Sequence, residues 1–269
     1  MNPEVDGTDG TDRTDDTDEY AELAWLAEHC LRVGVVVPPS NPTVEPELDA
    51  LVGDDVLVYS SRLPRYVGLT LEERNRLYAP AYAEALDGLV GLDVQCALVA
   101  MTGPNYQFGL DGDRDMCADL SARLGAPVRT ASLAIYDCLE TMGVDRIHLM
   151  SPYPAWLTDE TVAYWSGAGI DVVAVEHLLG EGEQFSAYET RSDEVCSHLR
   201  QLTPEPDAAV LLSGTGLVSI ASIYRSGYGV RAPILSSNLC GAWWILRQCG
   251  NMPGSALYQQ VASANLRGD

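Results

Sequence analysis

Short apolar runs rich in β-branched residues alternate along this chain with longer stretches that mix apolar and polar positions. The apolar runs are Val33–Val37, Val56–Tyr59, Cys96–Met101, Ile147–Met150, Val172–Val175, Ala208–Leu212 and Pro233–Leu235. The mixed stretches are Leu71–Val90, Arg114–Leu124, Ser132–Met142, Asp159–Ala168, Ala187–Gln201 and Cys240–Cys249. Runs of the first kind predict strands covered on both faces, and the second predict the amphipathic helices that cover them. The alternation predicts an α/β protein built on parallel sheets.

Placed in register, the strands repeat. Val33 and Ile147, Val56 and Val172, and Ala97 and Ala209 are separated by nearly the same length of chain. Three pairs at nearly one offset predict a duplication into two similar halves. Ahead of them, residues 1–19 are rich in Asp, Thr and Gly. Such a segment buries too little apolar surface to order itself, so it reads as a disordered acidic tail. Tyr20–Cys30 reads as a short helix leading into the fold.

Charge removes several functions. The chain has 39 acidic residues against 16 basic ones, a net charge of -23, and every basic residue is Arg. That surface repels nucleic acid and anionic membranes, whose binding depends on Lys and Arg neutralising phosphate. It fits a halophile's solvated surface, and equally a GC-rich genome that replaces Lys with Arg. Without Lys there is no Schiff base, pyridoxal phosphate anchor or Walker-A lysine. The seven cysteines (30, 96, 117, 138, 196, 240, 249) form no CxxC pair, and His29, His148, His177 and His198 have no metal-ligand spacing. No apolar run approaches the roughly 18 residues of a membrane span, and no cationic signal region opens the chain. A reducing cytoplasm is the expected setting, with no metal and no membrane or nucleic-acid partner.

Ligands of parallel sheets bind outside the carboxyl ends of the strands. The loops there read Pro38-Pro39-Ser40-Asn41-Pro42-Thr43, Thr102-Gly103-Pro104-Asn105, Ser151-Pro152-Tyr153, Ser213-Gly214-Thr215-Gly216 and Ser236-Ser237-Asn238. Any one is ordinary turn or cap chemistry. Five on one edge predict a ligand cleft lined by short donors and backbone N–H groups at helix starts. With no Arg inside these loops, a small carboxylate suits them better than a phosphate. The prolines after the first strand, in place of GxGxxG, speak against a dinucleotide.

These residues resemble the aspartate/glutamate racemase superfamily, in its maleate isomerase and arylmalonate decarboxylase branch. The resemblance runs through Val33–Glu45, Ser60-Ser61-Arg62, Ala100–Gly109, Pro152-Tyr153, Leu211–Leu217 and Ser236-Ser237-Asn238 with Trp243, roughly residues 31–250. It implies two flavodoxin-like lobes with parallel sheets related by a pseudo-twofold axis, residues 20–131 plus 241–269 forming one and 132–240 the other. It implies cofactor-independent isomerisation, racemisation or decarboxylation of a small (di)carboxylic acid between the lobes. Members of this superfamily range from monomers to dimers and beyond, which leaves a homo-oligomer open.

The resemblance also exposes a gap. The superfamily's isomerases and racemases use one cysteine from each of two loops, and its decarboxylases the second alone. Here the gapless count puts Met101 at the first position, a one-residue shift puts Thr102 there, and Gly214 holds the second. The candidate catalytic residues are therefore Tyr153, Cys240 at a helix start, and Thr102. The candidate substrate-binding residues are Pro39, Ser40, Asn41, Thr102, Gly103, Asn105, Tyr153, Gln184, Gly214, Thr215 and Gly216, with Glu183 the nearest carboxylate for a base. The alternative expectation is a carboxylate-binding protein that has lost turnover along with the thiols.

Overall fold

The computed structural model describes residues 25, 28–180, 186, 189–226 and 232–266. The elements of the first half are β1 (Leu31–Val37), α1 (Val44–Val52), β2 (Val56–Arg62), α2 (Leu71–Asp87), β3 (Cys96–Val99), α3 (Gly103–Tyr106), α4 (Gly109–Leu124) and β4 (Val128–Thr130). The second half follows as α5 (Ala131–Met142), β5 (Arg146–Ser151), α6 (Ala155–Gly167), β6 (Asp171–His177), α7 (Ser192–Gln201), β7 (Ala209–Leu212), α8 (Ile220–Ser226), β8 (Ile234–Ser236), α9 (Ser237–Gln248) and α10 (Ala256–Asn265).

All strand pairs are parallel. They form two four-stranded sheets of orders β2-β1-β3-β4 and β6-β5-β7-β8, the same order used twice. Equivalent strands begin at nearly constant separation along the chain for the first three pairs, Leu31 with Arg146, Val56 with Asp171 and Cys96 with Ala209, and at a shorter one for Val128 with Ile234. The central strands explain their composition: Val33, Val35, Val36 and Val37 of β1 and all of β7 are fully buried, which apolar residues tolerate on both faces. Edge strand β6 is only partly buried along most of its length.

The repeat extends to the helix starts. Thr130 Oγ1 accepts from Leu133 N at 3.2 Å to cap α5, and Ser236 Oγ accepts from Leu239 N at 3.1 Å to cap α9. Each cap satisfies a backbone donor the helix leaves free, worth about 1 kcal/mol. These two equivalent helices pack against each other. Gly241 lets α9 close onto β3, since a Cβ there would lie 2.7 Å from Leu98 Cδ2.

Several elements depart from the pattern read above. β4 and the helices α1, α3, α8 and α10 are not among the expected elements, and α4 and α6 begin earlier than their apolar stripes. Met1–Cys30 form a unit separate from Leu31–Asp269. Within it Trp25 and His29 stack at 5.4 Å, one turn apart. The acidic tail, residues 1–19, lies outside the described residues. No helix among the described residues is long and apolar enough to cross a membrane.

Candidate functional site

The loops at the carboxyl ends of the two sheets are joined to one another. Asn41 Oδ1 accepts from Thr43 N at 2.8 Å and Val44 N at 3.1 Å, opening α1, while its Nδ2 donates to Thr215 Oγ1 at 3.3 Å in the other half of the repeat. Thr215 Oγ1 in turn donates to Ala100 O at 2.9 Å, and Thr43 Oγ1 donates to Gly216 O at 3.0 Å. Asn41, Thr215 and Gly216 are thus brought together. Ser40 is exposed and Pro39 half-buried at the rim of the same loop. The loops themselves contain no Arg, yet Arg62, from the end of β2, reaches Pro38 O at 3.3 Å and pairs with Glu45.

Four hydroxyls gather where the two halves of the repeat face each other. Thr102 Oγ1 and Tyr153 Oη are 2.6 Å apart, and Tyr106 Oη and Ser213 Oγ are 2.9 Å apart. Burial raises the phenol of Tyr153 above its ordinary value, against hydrogen bonds from Thr102 and Ser213 that lower it. Tyr106 is raised for the same first reason. At neutral pH all four groups carry their protons.

Met101 and Thr102 follow β3 as Ser213 and Gly214 follow β7, at the carboxyl ends of the equivalent third strands of the two sheets. Their surroundings differ. Met101 is buried in the core with Val36, Leu63, Tyr78 and Tyr82, whereas the next residue, Thr102, carries the hydroxyl that meets Tyr153. Gly214 has φ +93°, and a Cβ there would stand 3.0 Å from Tyr153 Oη and 3.2 Å from Pro152 Cγ. Glycine is needed on both counts: L-residues disfavour that backbone, and Tyr153 occupies the space. The tyrosine hydroxyl stands where a side chain at 214 would begin.

Two expected site residues face elsewhere. Asn105 is fully buried and its amide is spent internally: Oδ1 accepts from Tyr82 Oη at 3.0 Å, and Nδ2 donates to Met101 O at 2.9 Å and Ser132 Oγ at 3.2 Å. It braces the first loop and does not present donors to a ligand. Cys240 is corrected too. α9 begins three residues earlier, at Ser237, which turns Cys240 into the apolar cluster of Ile135, Cys138 and Leu139, where burial and then the Cys138 thiol hold it protonated. All seven cysteines are buried. Gly103 is buried against Leu157, and Gln184 and Glu183 lie outside the described residues.

Two carboxylates behind the loops are absent from the sequence-based candidates. Glu47 of α1 accepts from Ser219 N at 2.7 Å, Ile220 N at 2.9 Å, Ser219 Oγ at 2.8 Å and Asn238 Nδ2 at 2.7 Å. Asn238 Nδ2 also donates to Thr215 O at 3.1 Å, so Glu47 holds the second loop from the other half of the repeat. The signal for it is spacing: Val44, Leu48 and Leu51 mark a buried helix face that includes position 47.

Asp113 of α4 is fully buried and accepts from Thr130 Oγ1 at 2.9 Å and Tyr164 Oη at 3.0 Å. Burial pushes its carboxyl up to about 7, against hydrogen bonds from Thr130, Tyr164 and Ser132 and the charge of Arg129. A carboxyl raised in the folded state binds its proton more tightly there. Its stabilising contribution is therefore complete below about pH 4 and is lost as pH rises to about 7. Asp113→Asn should remove that slope. In urea titrations the wild type is expected to lose about 2 to 3 kcal/mol more than the variant between pH 5 and pH 8. Parallel profiles would mean that Asp113 is already ionised at pH 5.

A cavity of about 500 Å³ opens in the second half of the repeat, and none of the four hydroxyl residues lines it. Pro152 and Leu217 line it from the two loops, with Leu178, Leu179 and Val195, and with Glu194 among its polar groups. Among the described residues no cluster of His, Cys, Asp and Glu is placed to hold a metal ion.

The chain matches the arylmalonate decarboxylase family over residues 33–261. It is 26% identical over 241 residues to a maleate isomerase of Geobacillus stearothermophilus, covering 82% of this chain and 92% of that protein. A maleate isomerase of Nocardia farcinica is 26% identical over 231 residues, 80% and 89% of the two chains. Among solved structures, a cysteine-to-serine mutant of Nocardia farcinica maleate cis-trans isomerase with a covalently bound succinylcysteine intermediate aligns with TM-score 0.74 at 22% identity, over 86% of this chain and 99% of that one. A liganded double mutant of arylmalonate decarboxylase aligns with TM-score 0.73 at 19% identity, over 85% and 97%. At these identities the structural likeness is one of fold, the two-lobed architecture with a parallel sheet in each lobe. The family match, running from β1 into α10 across both sheets, carries the assignment: this chain belongs to the arylmalonate decarboxylase family.

Proposed function

We propose that this chain is a cofactor-independent decarboxylase of a small dicarboxylic acid, working between its two lobes with Tyr153 as the proton donor. The observation that carries the reading is the position of the Tyr153 hydroxyl, 2.6 Å from Thr102 and against the space that Gly214 leaves empty of a side chain. The family's relatives include maleate isomerases, one of them with a succinylcysteine intermediate. In this chain Met101 and Gly214 stand in the two loops, and a hydroxyl cluster takes the place of thiols.

Which reaction fits follows from what that cluster can do. Its groups are protonated donors, and none is a base. Racemisation and isomerisation need a base or a nucleophile to begin. Decarboxylation needs neither: the C–C bond to one carboxylate breaks, CO2 leaves with its two oxygens, and the electron pair passes to the remaining carboxylate as an enediolate. Backbone N–H groups and the Thr102 hydroxyl stabilise that charge in a site with little water. The Tyr153 hydroxyl then gives one proton to carbon and recovers it from solvent.

Proton NMR in D2O with a panel of small dicarboxylates and 2-aryl malonates tests this. The expected result is a monoacid carrying one new deuterium at its α-carbon. Loss of an α-proton signal without CO2 release would instead mark a racemase or isomerase. The absence of a base and of a thiol within the hydroxyl cluster also favours a second reading, a carboxylate-binding protein without turnover. That reading predicts line broadening with no product.

A further inference from the structure

Asn75 lies on the inner face of α2, 6% exposed, and its amide nitrogen has no hydrogen-bond partner among the described residues. Buried amide donors are almost always satisfied, so an orphan calls for a reason. Its surroundings supply one. The nitrogen faces the first loop: a Cβ built on Gly103 would lie 3.3 Å from Asn75 Nδ2 and 3.3 Å from Leu157 Cδ2. Gly103 follows Thr102, whose hydroxyl meets Tyr153, and Leu157 lies one turn beyond Tyr153 in α6. The orphan donor therefore lies against Gly103, next in sequence to Thr102, where glycine leaves free the room that a side chain would take.

We propose that Asn75 is a substrate-binding residue, whose amide N–H donates to a carboxylate oxygen of the acid held at Thr102 and Tyr153. The inference rests on the reading of this site as a carboxylate site. The chemistry of the partner follows from the chemistry of the surroundings. Asn75 Nδ2 is a donor, and one hydroxyl proton of the Thr102–Tyr153 pair is not spent within the pair, so what completes them is a group with several acceptor lone pairs. An ionised carboxylate is such a group, and a bond to it from a buried amide is stronger than one between neutral partners. A buried amide without a protein partner is costly, and a carboxylate acceptor relieves that cost on binding.

Asn75→Leu keeps the branched outline of the side chain and removes the donor. Two quantities decide: the melting temperature of the free protein, and the affinity for maleate and phenylmalonate from NMR line broadening. The expected result is a melting temperature equal to or above that of the wild type, with affinity at least tenfold weaker. A variant that melts clearly lower and binds as tightly as the wild type would show a structural amide and overturn the inference. So would equal affinity at any melting temperature. If Asn75→Leu does not fold, Asn75→Ala gives the affinity ratio, and a ratio within twofold of unity is again fatal. A wild-type protein that binds neither probe removes the carboxylate reading itself and this inference with it. Equal binding by wild type and variant removes the inference alone.

Discussion

Tyr153→Phe is expected to lower the turnover number by about 10²- to 10⁴-fold while changing KM and melting temperature little, the range associated with loss of a positioned general acid. The substitution keeps the ring and removes only Oη, the atom 2.6 Å from Thr102 Oγ1. The stability cost is one hydrogen bond, about 1 kcal/mol. Because burial raises the phenol above its ordinary value, the group remains protonated throughout the neutral range. The wild-type rate should accordingly be flat across neutral pH and fall only in strong alkali, where a raised phenol ionises and can no longer donate. Thr102→Val makes the complementary variant. It leaves the acid in place but removes one stabilising donor, so its effect should be smaller and should leave the shape of the pH profile unchanged. Steady-state kinetics on the acid identified by NMR provide the measurement. A Tyr153→Phe enzyme at wild-type rate would rule the tyrosine out as the acid and turn attention to a donor outside the hydroxyl cluster.

Much of this arrangement is readable from the chain, and the boundary of what is readable has physical causes. Central strands announce themselves because burial on both faces demands continuous apolar runs; β1 from Val33 onward, β3 and β7 are of that kind, while β5 carries half-buried His148 within its run. β4 has only three residues, with Arg129 in the middle, and carries too little pattern to be seen. α1 is hidden by Pro46 and by the proline-rich loop before it. Proline is tolerated in a first turn, where its missing N–H has no intrahelical partner to lose. The loops are legible because their place follows from the strands. The direction of a side chain does not follow from them. Asn105 turns inward because Tyr82 and Ser132 arrive from α2 and α5, contacts distant in sequence. Cys240 reads as a helix start from its apolar stripe, although the helix has already made a turn before it. Gly214 and Tyr153 belong to different loops, and only their packing shows that the one leaves room for the other.

Glu47→Ala is expected to destabilise the protein by about 2 to 5 kcal/mol, because it leaves several buried donors without their acceptor. The carboxylate receives four hydrogen bonds on its two oxygens, two of them from the backbone N–H groups of Ser219 and Ile220. Alanine would leave those donors and Asn238 Nδ2 facing a gap, each costing about 1 to 3 kcal/mol where water does not replace the acceptor. Burial raises the carboxyl above its ordinary value, whereas the hydrogen bonds from Asn238, Ile220 and Ser219 lower it. Desolvation therefore wins over four donors, and the native contacts are worth less than their number suggests. Glu47→Gln separates charge from geometry. It keeps the shape and one acceptor oxygen, but aims an N–H at a donor, so its loss should be smaller than that of alanine and still measurable by urea denaturation. The position of the residue adds a second consequence. Glu47 belongs to α1, while Ser219, Ile220 and, through Asn238, Thr215 belong to the other half of the molecule. Loosening this tie should let the Gly214–Gly216 loop drift from Tyr153, so activity should fall at temperatures where the variant remains folded. A variant as stable as the wild type would mean that solvent satisfies the freed donors. A variant destabilised but fully active while folded would mean that Asn41 and Thr43 hold the second loop without Glu47.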